Sequence, residues 1–75
     1  MEMNEFVNNF ADQFEDTDKD VFTPQTIFKD LDEWTSLTAL SVIAMIDEEY
    51  GISLKSDDLA QSNTIEELFN KIQAK

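Results

Sequence analysis

Apolar residues recur along this chain at three- and four-residue steps, and those steps divide it into helices. Met3, Phe6, Val7, Phe10 and Phe14 form the first stripe, one face of an amphipathic helix. Acidic residues crowd from Glu15 to Asp20. Negative charge opposes the C-terminal end of a helix dipole, so the first helix is predicted to stop near there. Residues 15–35 then read as a long connection containing Pro24. Its apolar positions, Val21, Phe22, Ile27, Phe28 and Leu31, are expected to pin it to the core as an ordered loop.

The next helix is predicted from about Ser36 to Tyr50, with Thr35 or Ser36 as N-cap and Gly51 just past its end. A short element begins at Ser56, whose hydroxyl is placed to cap Asp57, Asp58, Leu59 and Ala60. Thr64-Ile65-Glu66-Glu67 is a capping box, and Leu68, Phe69 and Ile72 are the buried face of the helix it opens. Only Ile52-Ser53-Leu54 has the look of a strand. The expected class is all-α, one domain over residues 1–75, in the order helix, long loop, helix, short helix, helix.

The second helix carries two apolar stripes. At 100° per residue, Ala39, Val42, Ile43, Ile46 and Tyr50 fall within an arc of about 100°, the width of a core-facing stripe. Leu37, Leu40 and Ala44 fall on roughly the opposite side, beside Ser41 and Glu48. A central helix would bury both. The polar neighbours favour an exposed second stripe, an apolar centre rimmed by Asp47 and Glu48, which is the anatomy of a protein-recognition face.

Charge narrows the partners. Five lysines stand against 17 acids, for a net charge of −12. Nucleic acid and anionic membrane surfaces are not expected partners, since both need a basic face. Proteins with basic patches are, steered in by the long-range field. The chain has no Cys and no His, which excludes disulfides, the usual zinc sites and His-based acid–base catalysis. The start of the chain lacks an apolar signal region and no run is long enough to span a bilayer, so a cytoplasmic monomer is expected.

Ser36 is the position with the most chemical promise. It stands where an acidic loop meets the start of an apolar helix, an exposed hydroxyl at the positive end of a helix dipole and a favourable place to hold a phosphate. With no His to activate it, and only Lys29 or Lys55 as chance bases, it does not read as a catalytic nucleophile. Asp16-Thr17-Asp18-Lys19-Asp20 opens like an EF-hand loop, but Val21 and Ile27 stand where that loop needs Gly and Glu. No metal site is expected. Trp34 is expected to pack at the helix entrance as a staple.

Phe28-Lys29-Asp30-Leu31, Trp34-Thr35-Ser36-Leu37 and Ile46-Asp47-Glu48-Glu49-Tyr50-Gly51-Ile52 together resemble the acyl carrier proteins. That family shows Asp-Ser-Leu at the start of its second helix. Downstream come an apolar residue, acids, an aromatic and often Gly. The resemblance covers essentially the whole chain. It implies a right-handed, small four-helix bundle with one short helix. It also implies that Ser36 receives 4′-phosphopantetheine from coenzyme A through a phosphopantetheinyl transferase.

Acyl groups would then ride as thioesters on the arm's thiol, for fatty-acid, polyketide or specialised acyl-transfer pathways. Leu37, Leu40 and Ala44, with Asp47 and Glu48, would be read by loading and transfer enzymes. Ala39, Ile43, Ile46 and Tyr50 would line a core able to open for an acyl chain.

The chain departs from the family pattern at Thr35, where Asp usually precedes the serine. Thr38 and Ser41 replace acids early in the helix, and Asp32-Glu33-Trp34 replaces a loop Gly. These departures imply a specialised carrier, and the Gly-rich pattern of peptidyl carriers is absent. The other readings are a carrier of an aminoacyl or sugar-pathway group, and an acidic helical adaptor that binds through the same stripe without a prosthetic group.

Overall fold

The computed structural model describes residues 2–75. Four helices form: α1 (Met3–Ala11), α2 (Ser36–Tyr50), α3 (Ser56–Ala60) and α4 (Ile65–Gln73). Neighbouring packing runs α1 on α2 and α4, and α3 on α2 and α4. The long connection holds two single turns of 3₁₀ helix, Lys19–Val21 and Phe28–Asp30. No strand forms among the described residues. Ile52-Ser53-Leu54 is irregular and its Leu54 drops into the core.

Aromatic side chains hold α1 to the loop. Phe6, Phe10 and Phe28 are fully buried, with Ile46, Ile65, Leu68 and Ile72 beneath them. Phe10 lies 5.5 Å from Phe28 and from Phe14, ring centre to ring centre, and Phe6 lies 5.4 Å from Phe69. Such tilted and offset pairs contribute about 0.5–1.5 kcal/mol each beyond the area they bury. Three backbone hydrogen bonds then sew the loop to the start of α4: Phe28 N–H to Asn63 O (3.3 Å), Ile65 N–H to Thr26 O (3.2 Å) and Glu66 N–H to Pro24 O (2.9 Å).

The stripe on α1 forms as expected, but the helix ends earlier, at Ala11. The N–H groups of Gln13 and Phe14 bond back three residues, to Phe10 and Ala11. This tighter winding carries Phe14 inward, 5.0 Å from Phe22, so the acidic run lies wholly outside the helix. The loop is ordered, yet not all its apolar residues pin it. Phe22 and Phe28 are buried and Leu31 packs against the core. Val21 and Ile27 are 45% and 48% exposed. Each stands directly before a buried Phe, and consecutive side chains of extended or 3₁₀ backbone cannot point the same way.

Helix ends show which caps act. Gly51, at φ 66°, occupies the left-handed position that ends α2, donating its N–H to Asp47 O at 2.9 Å. Thr64 and Glu67 make the expected capping box: Glu67 N–H to Thr64 Oγ1 at 3.1 Å, Thr64 N–H to Glu67 Oε1 at 3.2 Å. Glu67 Oε1 also accepts from Asn63 N–H at 2.7 Å. Ser56 does not cap α3. It is the first helical residue, and Asp58 reaches back to accept the Lys55 N–H at 3.1 Å.

Candidate functional site at the start of α2

Thr35, not Ser36, caps α2. Its backbone is extended (φ −134°, ψ 175°) and its hydroxyl accepts the Thr38 N–H at 3.4 Å. Thr38 Oγ1 returns the bond by accepting Thr35 N–H at 2.8 Å, and its hydroxyl donates to Glu33 O at 2.9 Å. The two threonines complete the cap between themselves. Ser36, the first helical residue, is therefore exposed, and its hydroxyl has no hydrogen-bond partner among the described residues. The first turn of the fifteen-residue α2 holds no acid, so no carboxylate within that turn offsets the positive end of its dipole.

Glu33 fixes the approach to this serine. Its carboxylate accepts the backbone N–H groups of Glu15 (3.2 Å) and Asp16 (3.0 Å) and the Thr17 hydroxyl. The turn after α1 is thereby tied to the residues just before α2. The Thr17 hydroxyl first, and then the two N–H groups, hold the Glu33 carboxyl below the ordinary carboxylate range against a smaller cost of desolvation. The sequence marks Glu33 only as one more acid in an acidic chain. Its partners lie 16 to 18 residues away, beyond the reach of any local pattern. Asp18, the second acid of the EF-hand-like run, caps the 3₁₀ turn by accepting Asp20 N–H at 3.3 Å.

Trp34 acts as the expected staple. Its ring lies edge-on to Phe28 at 4.8 Å and stacks within 8° of parallel over Phe10. Trp34 and Ala39 together wall a crevice of about 170 Å³, closed on the other side by Lys29, Ser56, Leu59 and Ala60. Ala39 follows Ser36 by three residues, so the crevice opens on the serine's side of α2, one turn down.

The two stripes of α2 separate cleanly. Leu37 is 75% and Leu40 60% exposed, and Ala44, Asp47 and Glu48 are exposed with them. The inward face is rotated from the expected one. Val42, Met45 and Ile46 are buried, while Ala39, Ile43 and Tyr50 are half-buried. Met45 was not legible as core because it falls about 60° outside the expected arc. Tyr50 accepts Asn9 Nδ2 at 2.9 Å, which anchors the end of α2 to α1. Burial, more than that hydrogen bond, sets the direction for the Tyr50 phenol, which is pushed above its ordinary pKa. With Leu40 standing in solvent, Leu40→Asp is expected to change stability by less than about 1 kcal/mol, measured by urea denaturation. A larger loss would place Leu40 in the core.

No helix among the described residues is long and apolar enough to cross a membrane. Comparison with curated proteins and with solved structures returned no match. Residues 4–72 match the family described as the phosphopantetheine attachment site. That match takes in all four helices apart from the first residue of α1 and the last of α4, and it includes the loop and the exposed serine between α1 and α2. The chain belongs to the phosphopantetheine attachment family and is a phosphopantetheine-bearing carrier protein.

Proposed function

We propose that Ser36 is the attachment residue and that the chain holds acyl groups as thioesters on the arm. One comparison carries the assignment. Two exposed serines stand first in a helix, Ser36 in α2 and Ser56 in α3. Asp57 and Asp58 follow Ser56 in the first turn of a five-residue helix, where a phosphodiester would meet two carboxylates. No acid follows Ser36 in the first turn, and its helix is three times as long. Free N–H groups and a helix dipole with no acid in its own first turn favour an anion there. The other serines fit less well: Ser62 is buried and donates to Asp58 O at 2.9 Å, Ser41 is half-buried, and Ser53 lies outside any helix.

The arm, when attached, supplies the thiol that this cysteine-free chain lacks. The chain's own part is to present it. The Thr35–Thr38 cap keeps the helix start rigid, and the Glu33 tie fixes the loop beside it. Leu37, Leu40 and Ala44, rimmed by Asp47 and Glu48, form the face that loading and transfer enzymes would read. The crevice against Trp34 would shelter the cargo. An apolar cavity of about 150 Å³ accommodates a benzene-sized molecule, so at about 170 Å³ this one suits an acyl segment of similar size. Short or specialised acyl groups fit that better than long chains.

Intact-mass measurement tests the assignment. After incubation with coenzyme A and a broad-specificity phosphopantetheinyl transferase, the wild type is expected to gain one phosphopantetheine increment. Ser36→Ala is expected to gain none and Ser56→Ala to gain it in full. An increment that survives Ser36→Ala, or its absence from the wild type with several transferases, would overturn the proposal.

A further inference from the structure

The crevice against Trp34 is set apart by charge, not by size. Four other hollows, of about 290 to 620 Å³, are each bordered by two to four carboxylates. No carboxylate lines the crevice, and a lysine, Lys29, does. The fold puts that lysine there. The 3₁₀ turn Phe28–Asp30 buries the Phe28 ring and leaves the next side chain half-buried, with Lys29 Nζ donating to Ala60 O at the end of α3. An ammonium has three donors, so this bond leaves it others to give.

Lys29 is also without a carboxylate of its own. Lys71 and Lys75 come to α3 from the end of the chain, Lys71 Nζ 3.4 Å from Asp58 O and Lys75 paired with the Asp58 carboxylate at 3.1 Å. Lys29 makes no ion pair among the described residues, although acids outnumber lysines 17 to 5. The acids of this flank are engaged or turned away. Asp58 is taken by Lys75 and the Lys55 N–H. Glu67 is held below the ordinary carboxylate range by the Asn63 and Thr64 N–H groups first, with Lys29 a lesser cause, and both N–H groups bond its Oε1. Asp57 and Glu66 are exposed in the first turns of α3 and α4, outside the crevice lining.

We infer that Lys29 reads the cargo: the crevice takes a short dicarboxylic acid held as its half-thioester, and the ammonium of Lys29 binds the free carboxylate. The inference rests on Ser36 as the attachment residue, whose arm would bring the cargo to the crevice one turn down α2. Trp34, Ala39 and Leu59 supply apolar wall for the methylene part. The carboxylate end meets repulsion in every hollow bordered by acids and attraction at Lys29. A neutral acyl group of the same shape finds the same walls but leaves the ammonium unpaired, and a charge-assisted hydrogen bond is stronger than a neutral one. The thioester stays on the arm, and no bond is made or broken at Lys29.

The test loads Ser36 by the broad-specificity transferase from succinyl-coenzyme A or from 4-methylpentanoyl-coenzyme A. The two acyl groups share one shape and differ in ending with a carboxylate or an isopropyl group. Intact mass verifies each loading. Trp34 is the single tryptophan and walls the crevice, so quenching of its fluorescence by acrylamide reads occupancy. Succinyl is expected to shield Trp34 at least about twofold better than 4-methylpentanoyl, the ordinary scale of one partly exposed ion pair. High salt is expected to erode that difference. Lys29→Met, which keeps an unbranched apolar stem, is expected to abolish it, and Lys29→Arg to retain it.

Thermal melts check that the variants fold, and Lys29→Gln replaces Lys29→Met if that one does not. Equal or better shielding by 4-methylpentanoyl in the wild type would overturn the inference whatever the variants do. So would succinyl shielding that survives loss of the ammonium. Both results leave Ser36 as the site. A wild type that gains no mass from either donor would instead overturn the attachment assignment beneath it.

Discussion

Phe10→Ala is expected to leave the protein largely unfolded at 25 °C. Phe10 is fully buried, and its ring lies within 6.3 Å, centre to centre, of those of Phe6, Phe14, Phe22, Phe28 and Trp34. Its ring meets α1, both halves of the loop and the staple before α2. Truncating a buried Phe costs about 3–5 kcal/mol, through lost transfer free energy and the cavity left behind. A 75-residue domain has about 4–11 kcal/mol in total at ordinary stability per residue. The small size of the domain places it toward the low end of that range. The loss therefore approaches the whole.

Far-ultraviolet circular dichroism with urea titration would show this as a missing native baseline. Phe10→Leu keeps much of the volume and is expected to retain a cooperative transition at lower urea. A native-like Phe10→Ala with an unchanged midpoint would mean that the neighbouring rings close the gap without it.

That cluster also shows what could be read in advance. The 3- and 4-residue steps mark Phe6, Phe10 and Phe14 as one face, and Gly51 and the Thr64–Glu67 pair mark helix ends, because each signal is local. The candidate site was legible for the same reason. Ser36 lies at the boundary between an acidic loop and an apolar run, and Leu37, Leu40 and Ala44 recur at helical spacing. Contacts between distant segments were not. Thr35 and Ser36 are equal candidates for the cap until Thr38 Oγ1 is seen to bond both Thr35 N–H and Glu33 O. The Glu33 tie and the gathering of lysines about α3 arise only when residues far apart in sequence meet. Val21 and Ile27 were misplaced because hydrophobicity says that a loop residue can be buried, not which of two neighbours will be.

Carboxylates that close junctions of the fold are expected to make acid the second strong perturbation. Three carboxyls, those of Glu33, Asp58 and Glu67, are held below the ordinary carboxylate range in the folded chain. For Glu33 the Thr17 hydroxyl is the main cause; for Asp58 it is the Lys55 N–H, then Lys75; for Glu67 it is the N–H groups of Asn63 and Thr64. A carboxyl whose pKa is lower folded than unfolded stabilises the fold fully above its unfolded value, about 4. That stabilisation fades as pH falls through the folded value. Each of the three closes a junction: the approach to Ser36, the start of α3 and the start of α4.

Acid also neutralises a chain of charge −12, and relief of self-repulsion acts in the opposite direction. Salt separates the two effects. At about 1 M the Debye length is about 3 Å, so repulsion is screened while direct hydrogen bonds persist. Under that condition the melting temperature is expected to fall steadily from about pH 5 to about pH 3. Glu33→Gln/Glu67→Gln is expected to melt lower than the wild type at neutral pH, and to lose less over the same acid range. A double variant with the full acid slope would assign the loss to other carboxylates and leave these junctions as geometry without energetic weight.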